Sequence, residues 1–140
     1  MADDTHRWVS IERVDEGIYL ARNARGVPLR FGSLDPDGFT PVELLLAAIA
    51  GCSAVDVDVV TGRRSTAESF TARVDAHAVR DETGNVLRDI ELTFRVRFPE
   101  GAEGDAARAI LPRTVAASHD RTCTVSRTIE AGVPVTVRME

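Results

Sequence analysis

The 140-residue chain has no lysine, and all 17 of its cationic side chains are arginine. Schiff-base and amine-nucleophile chemistry by lysine is thereby excluded. Aromatic residues make up only 5% of the chain, too few for stacked-base recognition. The formal charge of -5 lacks the clustered positive charge that phosphates demand, so no nucleic-acid partner is expected. Two cysteines, Cys52 and Cys123, are too few for a disulfide scaffold and form no Cys-x-x-Cys pair. There is no glycine-rich phosphate loop and no internal repeat, and His6, His77 and His119 stand at no metal-ligand spacing. The opening Met1-Ala2-Asp3-Asp4-Thr5-His6 is acidic and lacks the apolar core of a signal peptide. The longest uncharged apolar run, Leu44 to Val55, is too short to span a bilayer. These absences predict a cytoplasmic protein in a reducing compartment, with no membrane partner.

What remains is an ordinary globular balance, 44% hydrophobic and 28% charged, at a length suited to one domain over residues 1–140. Three short strands are predicted over Arg7 to Val14, Ile18 to Arg22 and Val27 to Phe31, with Pro28 at an edge or strand start. A loop rich in Gly, Pro and Asp follows from Gly32 to Phe39. Thr40-Pro41 then opens a helix, with Thr40 as N-cap, Pro41 at the first helical position and Glu43 closing a capping box. That helix is apolar nearly all round through Val57, the pattern of a buried helix covered by the rest of the chain or by a second subunit.

Two strands with period-2 patterning come next. Phe70, Ala72, Val74, Ala76 and Ala78 share one face of the first, and Ile90, Leu92, Phe94, Val96 and Phe98 share one face of the second. The loop Asp81 to Asn85 joins them into an antiparallel pair with one core face and one wet face, on which His77 lies. Residues 105–119 are helical in composition, with Pro112 expected to kink or split them and His119 placed at the C-terminal end. A short helix runs from Cys123 to Glu130, Ala131-Gly132 ends it, and Val133, Val135, Val137 and Met139 alternate in a final strand. The element order predicts an α+β fold with helices packed on antiparallel sheet.

The cysteines carry the chemistry. Cys52 sits amid apolar helix, where a packed, inert thiol competes with a reactive one. Cys123 stands at a helix N-terminus, whose N–H groups favour a thiolate. Were both reactive, peroxide would convert one to a sulfenic acid and the other would condense with it, which needs Cα atoms within about 7 Å. Asp56, one turn after Cys52, opposes thiolate formation if its charge faces the sulfur.

The stretch Thr40-Pro41-Val42-Glu43-Leu44-Leu45-Leu46-Ala47-Ala48-Ile49-Ala50-Gly51-Cys52 resembles the central-helix motif of the OsmC/Ohr family, the osmotically induced and organic hydroperoxide resistance proteins. The stretch Cys123 to Ile129, followed by Val133-Pro134-Val135, is similar to the family's second-cysteine motif. The resemblance covers most of the chain. It implies an intertwined homodimer, with antiparallel sheets wrapped around a long buried central helix and active sites at the subunit interface. It further implies Cys52 as peroxidatic thiol, Cys123 as resolving thiol, and no metal, haem or flavin. The implied substrate is an organic hydroperoxide, and the implied reductant is a dithiol of lipoyl type.

The resemblance also implies an N-terminal arginine that stabilises the thiolate, held by a glutamate directly after the proline. Arg22, Arg25 and Arg30 compete for the first role, with Arg22 and Arg25 better placed in the turn. This chain departs from the pattern in having Val42 after Pro41, with Glu43 one residue later. On an ideal helix Glu43 and Cys52 lie about 900° and roughly 13 Å apart, on opposite sides, so capping is the better role for Glu43. A second reading follows from that departure: a non-catalytic dimer of the same fold, binding a small apolar ligand in a stress response. A third is a structural dimer with both cysteines merely packed.

Overall fold

Two antiparallel sheets and three α-helices make up the computed structural model, which describes residues 4–140. Met1 to Asp3, the head of the acidic opening stretch, lie outside the described residues. The chain divides into two compact units, one ending at Leu45 and one running from Leu46 to Glu140.

The first unit holds a three-stranded sheet in the order β1 (Val9–Asp15), β2 (Ile18–Asn23), β3 (Pro28–Phe31). Pro28 begins β3 on the outer edge of the sheet, where its missing N–H breaks no ladder bond. Tyr19 pairs with Phe31 across β2 and β3, and their rings stack at 5.7 Å. Ala21 and Phe31 are buried. Arg30 reaches from β3 into the following loop, where its Nε donates to the buried Asp35 at 2.6 Å.

Helix α1 (Pro41–Gly62) starts where the capping pattern predicts. The Thr40 N–H donates to Glu43 Oε1 at 2.8 Å, and the Glu43 N–H donates to Thr40 Oγ1 at 3.2 Å. Its apolar surface predicts cover on every side, but within the chain one stripe is buried: Ile49, Ser53, Val57 and Thr61, each four residues from the next. Val42, Leu45, Val55 and Val59 remain exposed. The short uncharged run also understates α1. The helix continues past Asp56 and Asp58 to 22 residues with hydropathy 1.9, long and apolar enough to cross a membrane by length and composition.

In the second unit β4 (Ser69–Arg80) pairs with β5 (Asn85–Arg97). Phe70 and Phe94 meet edge to face on the inner side at 6.0 Å. The alternation of β5 does not run through unbroken. The register shifts where Asp75 faces Glu91 and His77 faces Arg88, and Asp89 there has a φ of 55°. This bulge inserts an extra residue, so the inward parity changes: Leu87, not Arg88, pairs with Ala78.

Helix α2 (Ala102–Ala117) starts earlier than composition predicts and runs through Pro112 without a break. One missing hydrogen bond does not end it, because the helix is anchored on both sides of the proline by buried Ala107 and Thr114. Gly104 lies against the Pro99 carbonyl, a contact that leaves no room for a Cβ. The backbone then widens into a one-turn π-helix, Ser118–Thr122, closed by Cys123 N–H donating to the Ser118 carbonyl at 2.8 Å. Helix α3 (Thr124–Ala131) follows, and left-handed Gly132 (φ 64°) ends it.

The final strand predicted over Val133 to Met139 does not form. A strand exists only by pairing, and no described strand of this chain pairs with the segment. Val135, Val137 and Met139 are 88%, 83% and 94% exposed.

Candidate active site

The stripe of α1 that faces inward carries Ser53, and its neighbour Cys52 lies beside it, half-exposed. From the other side, Cys123 occupies the N-cap of α3 and is fully buried. Both thiols are free, and they lie near enough that each shifts the pKa of the other. Residues 71 positions apart in sequence are thus brought together by α1, the π-turn and α3.

The surroundings separate the two thiols electrically. Burial pushes Cys52 up from the ordinary thiol value, and the neighbouring Cys123 pushes it further. The backbone N–H groups of Val125 and Thr124 act the other way and are outweighed. Burial also pushes Cys123 up, as the largest single influence on it. The Ser126 side chain, Ser53, the Ser126 N–H and Cys52 together outweigh that and hold Cys123 below the ordinary value. The geometry agrees: Ser126 Oγ lies 3.4 Å from Cys123 Sγ, and the Ser126 N–H donates to that sulfur at 3.5 Å. The serine at the third helical position thus supplies what an N-cap sulfur requires. Ser53 and Ser126 were not singled out in the sequence; a serine next to each cysteine motif was the available signal.

Asp56 is turned to two hydroxyls. Its Oδ2 accepts from Ser118 Oγ at 2.8 Å and from Thr122 Oγ1 at 2.9 Å, the two ends of the π-turn. His119 stands in the same turn, just past the C-terminal end of α2. Its ring nitrogens meet Asp120 at 3.0 Å and Glu130 at 3.1 Å, and these carboxylates, Asp120 first, raise its pKa. A cavity of about 500 Å³ is lined by Ser53, the chain neighbour of Cys52, and by Ser126, which donates to Cys123, but by neither cysteine itself. Ile49, Leu92, Phe94 and Ile129 give it apolar walls, and Ser53 and Ser126 reach it from the thiol side.

The other predicted site residues lie in the first unit. Arg22 is exposed on β2, its Nη1 3.5 Å from the Gly26 carbonyl. Arg25 is exposed in the β2–β3 turn, which Asn23 shapes by accepting from the N–H groups of Arg25 and Val27. Arg30 is engaged with Asp35. The Glu43 carboxylate closes the α1 cap, and the Thr40 N–H is the main reason its pKa is lowered.

Known proteins share this arrangement of elements. The profile of a family described as OsmC-like protein matches residues 34–138. An uncharacterised protein of Mycobacterium tuberculosis is 31% identical over 136 residues, 96% of each chain. The solved structure of an OsmC-like protein from Mycoplasma pneumoniae superposes with a TM-score of 0.70 at 15% identity, over 91% of this chain and 89% of that one. The organic hydroperoxide resistance protein OhrB of Bacillus subtilis gives a TM-score of 0.52 at 20% identity, over 88% and 89%. On the match to three quarters of its length, in the segment that contains both cysteines and the helices that join them, this chain belongs to the OsmC/Ohr family.

Proposed function

We propose that the protein is a thiol-dependent peroxidase that reduces organic hydroperoxides, with Cys52 as the attacking thiol and Cys123 as the resolving one. The observation that carries this reading is a half-exposed thiol, Cys52, whose pKa is raised by a neighbouring buried thiol, Cys123, that Ser126 holds. Cys123 holds the first negative charge, and Cys52 is the sulfur that a peroxide reaches. As Cys52 attacks the distal peroxide oxygen, its proton passes to Cys123. The O–O bond breaks, Cys52 keeps the distal oxygen as a sulfenic acid, and the alkoxide takes the proton from Cys123 and leaves as an alcohol. The Cys123 thiolate then attacks the sulfenic sulfur, the S–O bond breaks, and the hydroxide takes a proton from solvent and departs as water, leaving a disulfide. An external dithiol, of lipoyl type, returns both thiols by exchange.

The apolar cavity favours an alkyl or fatty-acyl hydroperoxide over hydrogen peroxide. Arg22 or Arg25 of the turn assists the leaving oxygen, and the working form is a cytoplasmic homodimer. Purified protein mixed with cumene hydroperoxide and dihydrolipoamide should consume the peroxide. Cys52→Ser should abolish turnover, and Cys123→Ser should stop it after one equivalent. No peroxide loss with both thiols persisting defeats the reading.

A second reading, a non-catalytic dimer that binds a small apolar ligand, draws on the same cavity and on Glu43 acting as a cap. It requires a co-purified ligand in native mass spectrometry that persists in Cys52→Ser.

A further inference from the structure

Cys52 and Asp56 lie on one helix, four residues or about 6 Å of rise apart, so they share one side of α1. Cys123 directly follows Thr122, the last residue of the π-turn. Both ends of that turn donate hydroxyl hydrogen bonds to a single carboxylate oxygen, Asp56 Oδ2, at 2.8 and 2.9 Å. Ser118 is almost fully buried, and its carbonyl also takes the Cys123 N–H. Single π-turns inside helices are rare, and those that occur are frequent at functional sites. We propose that Asp56 is a positioning residue: it stakes the π-turn to α1 one helical turn from Cys52 and thereby sets the approach of Cys123 to Cys52.

The inference rests on the dithiol reading of the site given above. Its chemistry is simple. Hydrogen bonds to an ionised acceptor are roughly twice as strong as neutral ones, and here two converge on one atom. A disulfide forms only when the Cβ atoms come to roughly 3.5–4.5 Å, so a small drift of the turn separates the sulfurs. The carboxylate one turn from a thiol, which by charge alone would oppose its ionisation, has its oxygen turned to hydroxyls of the segment that carries the second thiol.

Disulfide closure in the reduced full chain, driven by diamide, tests this. The two thiols lose two protons and two electrons as the S–S bond forms, and the azo bond of diamide takes both to become a hydrazine. Closure is followed by rapid alkylation and intact mass, with the alkylation rate of Cys52 as reference. Asp56→Ala should slow closure about tenfold relative to the Cys52 alkylation rate of the same variant. Asp56→Asn keeps an oxygen that accepts from both hydroxyls and should stay within about threefold of wild type. Thr122→Val removes one of the two bonds and should fall between. Closure of Asp56→Ala at the wild-type rate overturns the proposal, as does Asp56→Asn matching the alanine variant. If Asp56→Ala does not fold, Thr122→Val decides: slower closure supports the staking and wild-type closure sinks it. A wild-type chain that closes its disulfide with diamide but consumes no cumene hydroperoxide defeats the peroxidase reading and leaves this one standing.

Discussion

Cys123 and Cys52 differ in what touches them, and the difference fixes the order in which they ionise. Ser53, Ser126 and the Ser126 N–H favour a negative charge on Cys123, and that charge disfavours a second one on Cys52. Thiolate absorbance near 240 nm should therefore rise in two apparent steps, one below the free-thiol value of about 8.5 and one above it. Between the steps only Cys123 is charged. Cys123→Ser removes the neighbour that holds Cys52 up, so the remaining step should fall below the upper step of the wild type. Ser126→Ala should move the lower step upward. One unshifted step in the wild type would contradict this ordering. The thiolate tendency of Cys123 was legible in its position at a helix start. Its serine support was not, because Ser53 reaches it across 70 positions, and nothing local in either segment encodes that meeting.

The elements that local chemistry specifies are those the sequence reveals. The box Thr40–Glu43 has a donor and an acceptor three residues apart, and both hydrogen bonds form. Thr40→Ala leaves helix N–H groups without that acceptor and should cost about 1 kcal/mol in denaturant unfolding, with activity retained. No change in the midpoint would show the box to be idle. β4 likewise follows its alternation. Where tertiary contacts decide, sequence patterning misleads. Asp89 turns left-handed and shifts the parity of β5, which the even spacing of Ile90, Leu92 and Phe94 conceals. Pro112 looks like a breaker, but Ala107 and Thr114 anchor the helix on both sides of it. The π-turn has no sequence mark of its own: the side-chain bonds from its two ends go to Asp56, more than 60 residues earlier. The Val133–Met139 alternation is real patterning without a partner strand in this chain.

At the scale of the molecule, large apolar side chains stay exposed in several segments. Val55 and Val59 project from α1, Trp8, Val9 and Ile11 lie at or near β1, and Val133, Val135, Val137 and Met139 form the C-terminal segment. Soluble monomers rarely leave such clusters in water. In the proposed homodimer a second copy would cover the apolar helix and pair with the alternating final segment. The homodimer proposed above then has a direct measure: sedimentation at micromolar concentration should give twice the 15.2 kDa chain mass. Val59→Arg places a charge on the exposed side of α1, where a lone chain tolerates it in water and a covered interface does not. It should shift the protein to monomer, or to aggregate, while the wild type stays dimeric. A wild-type chain that sediments at its single mass would remove the dimer, and with it the explanation for why so apolar a helix shows only one buried stripe within its own chain.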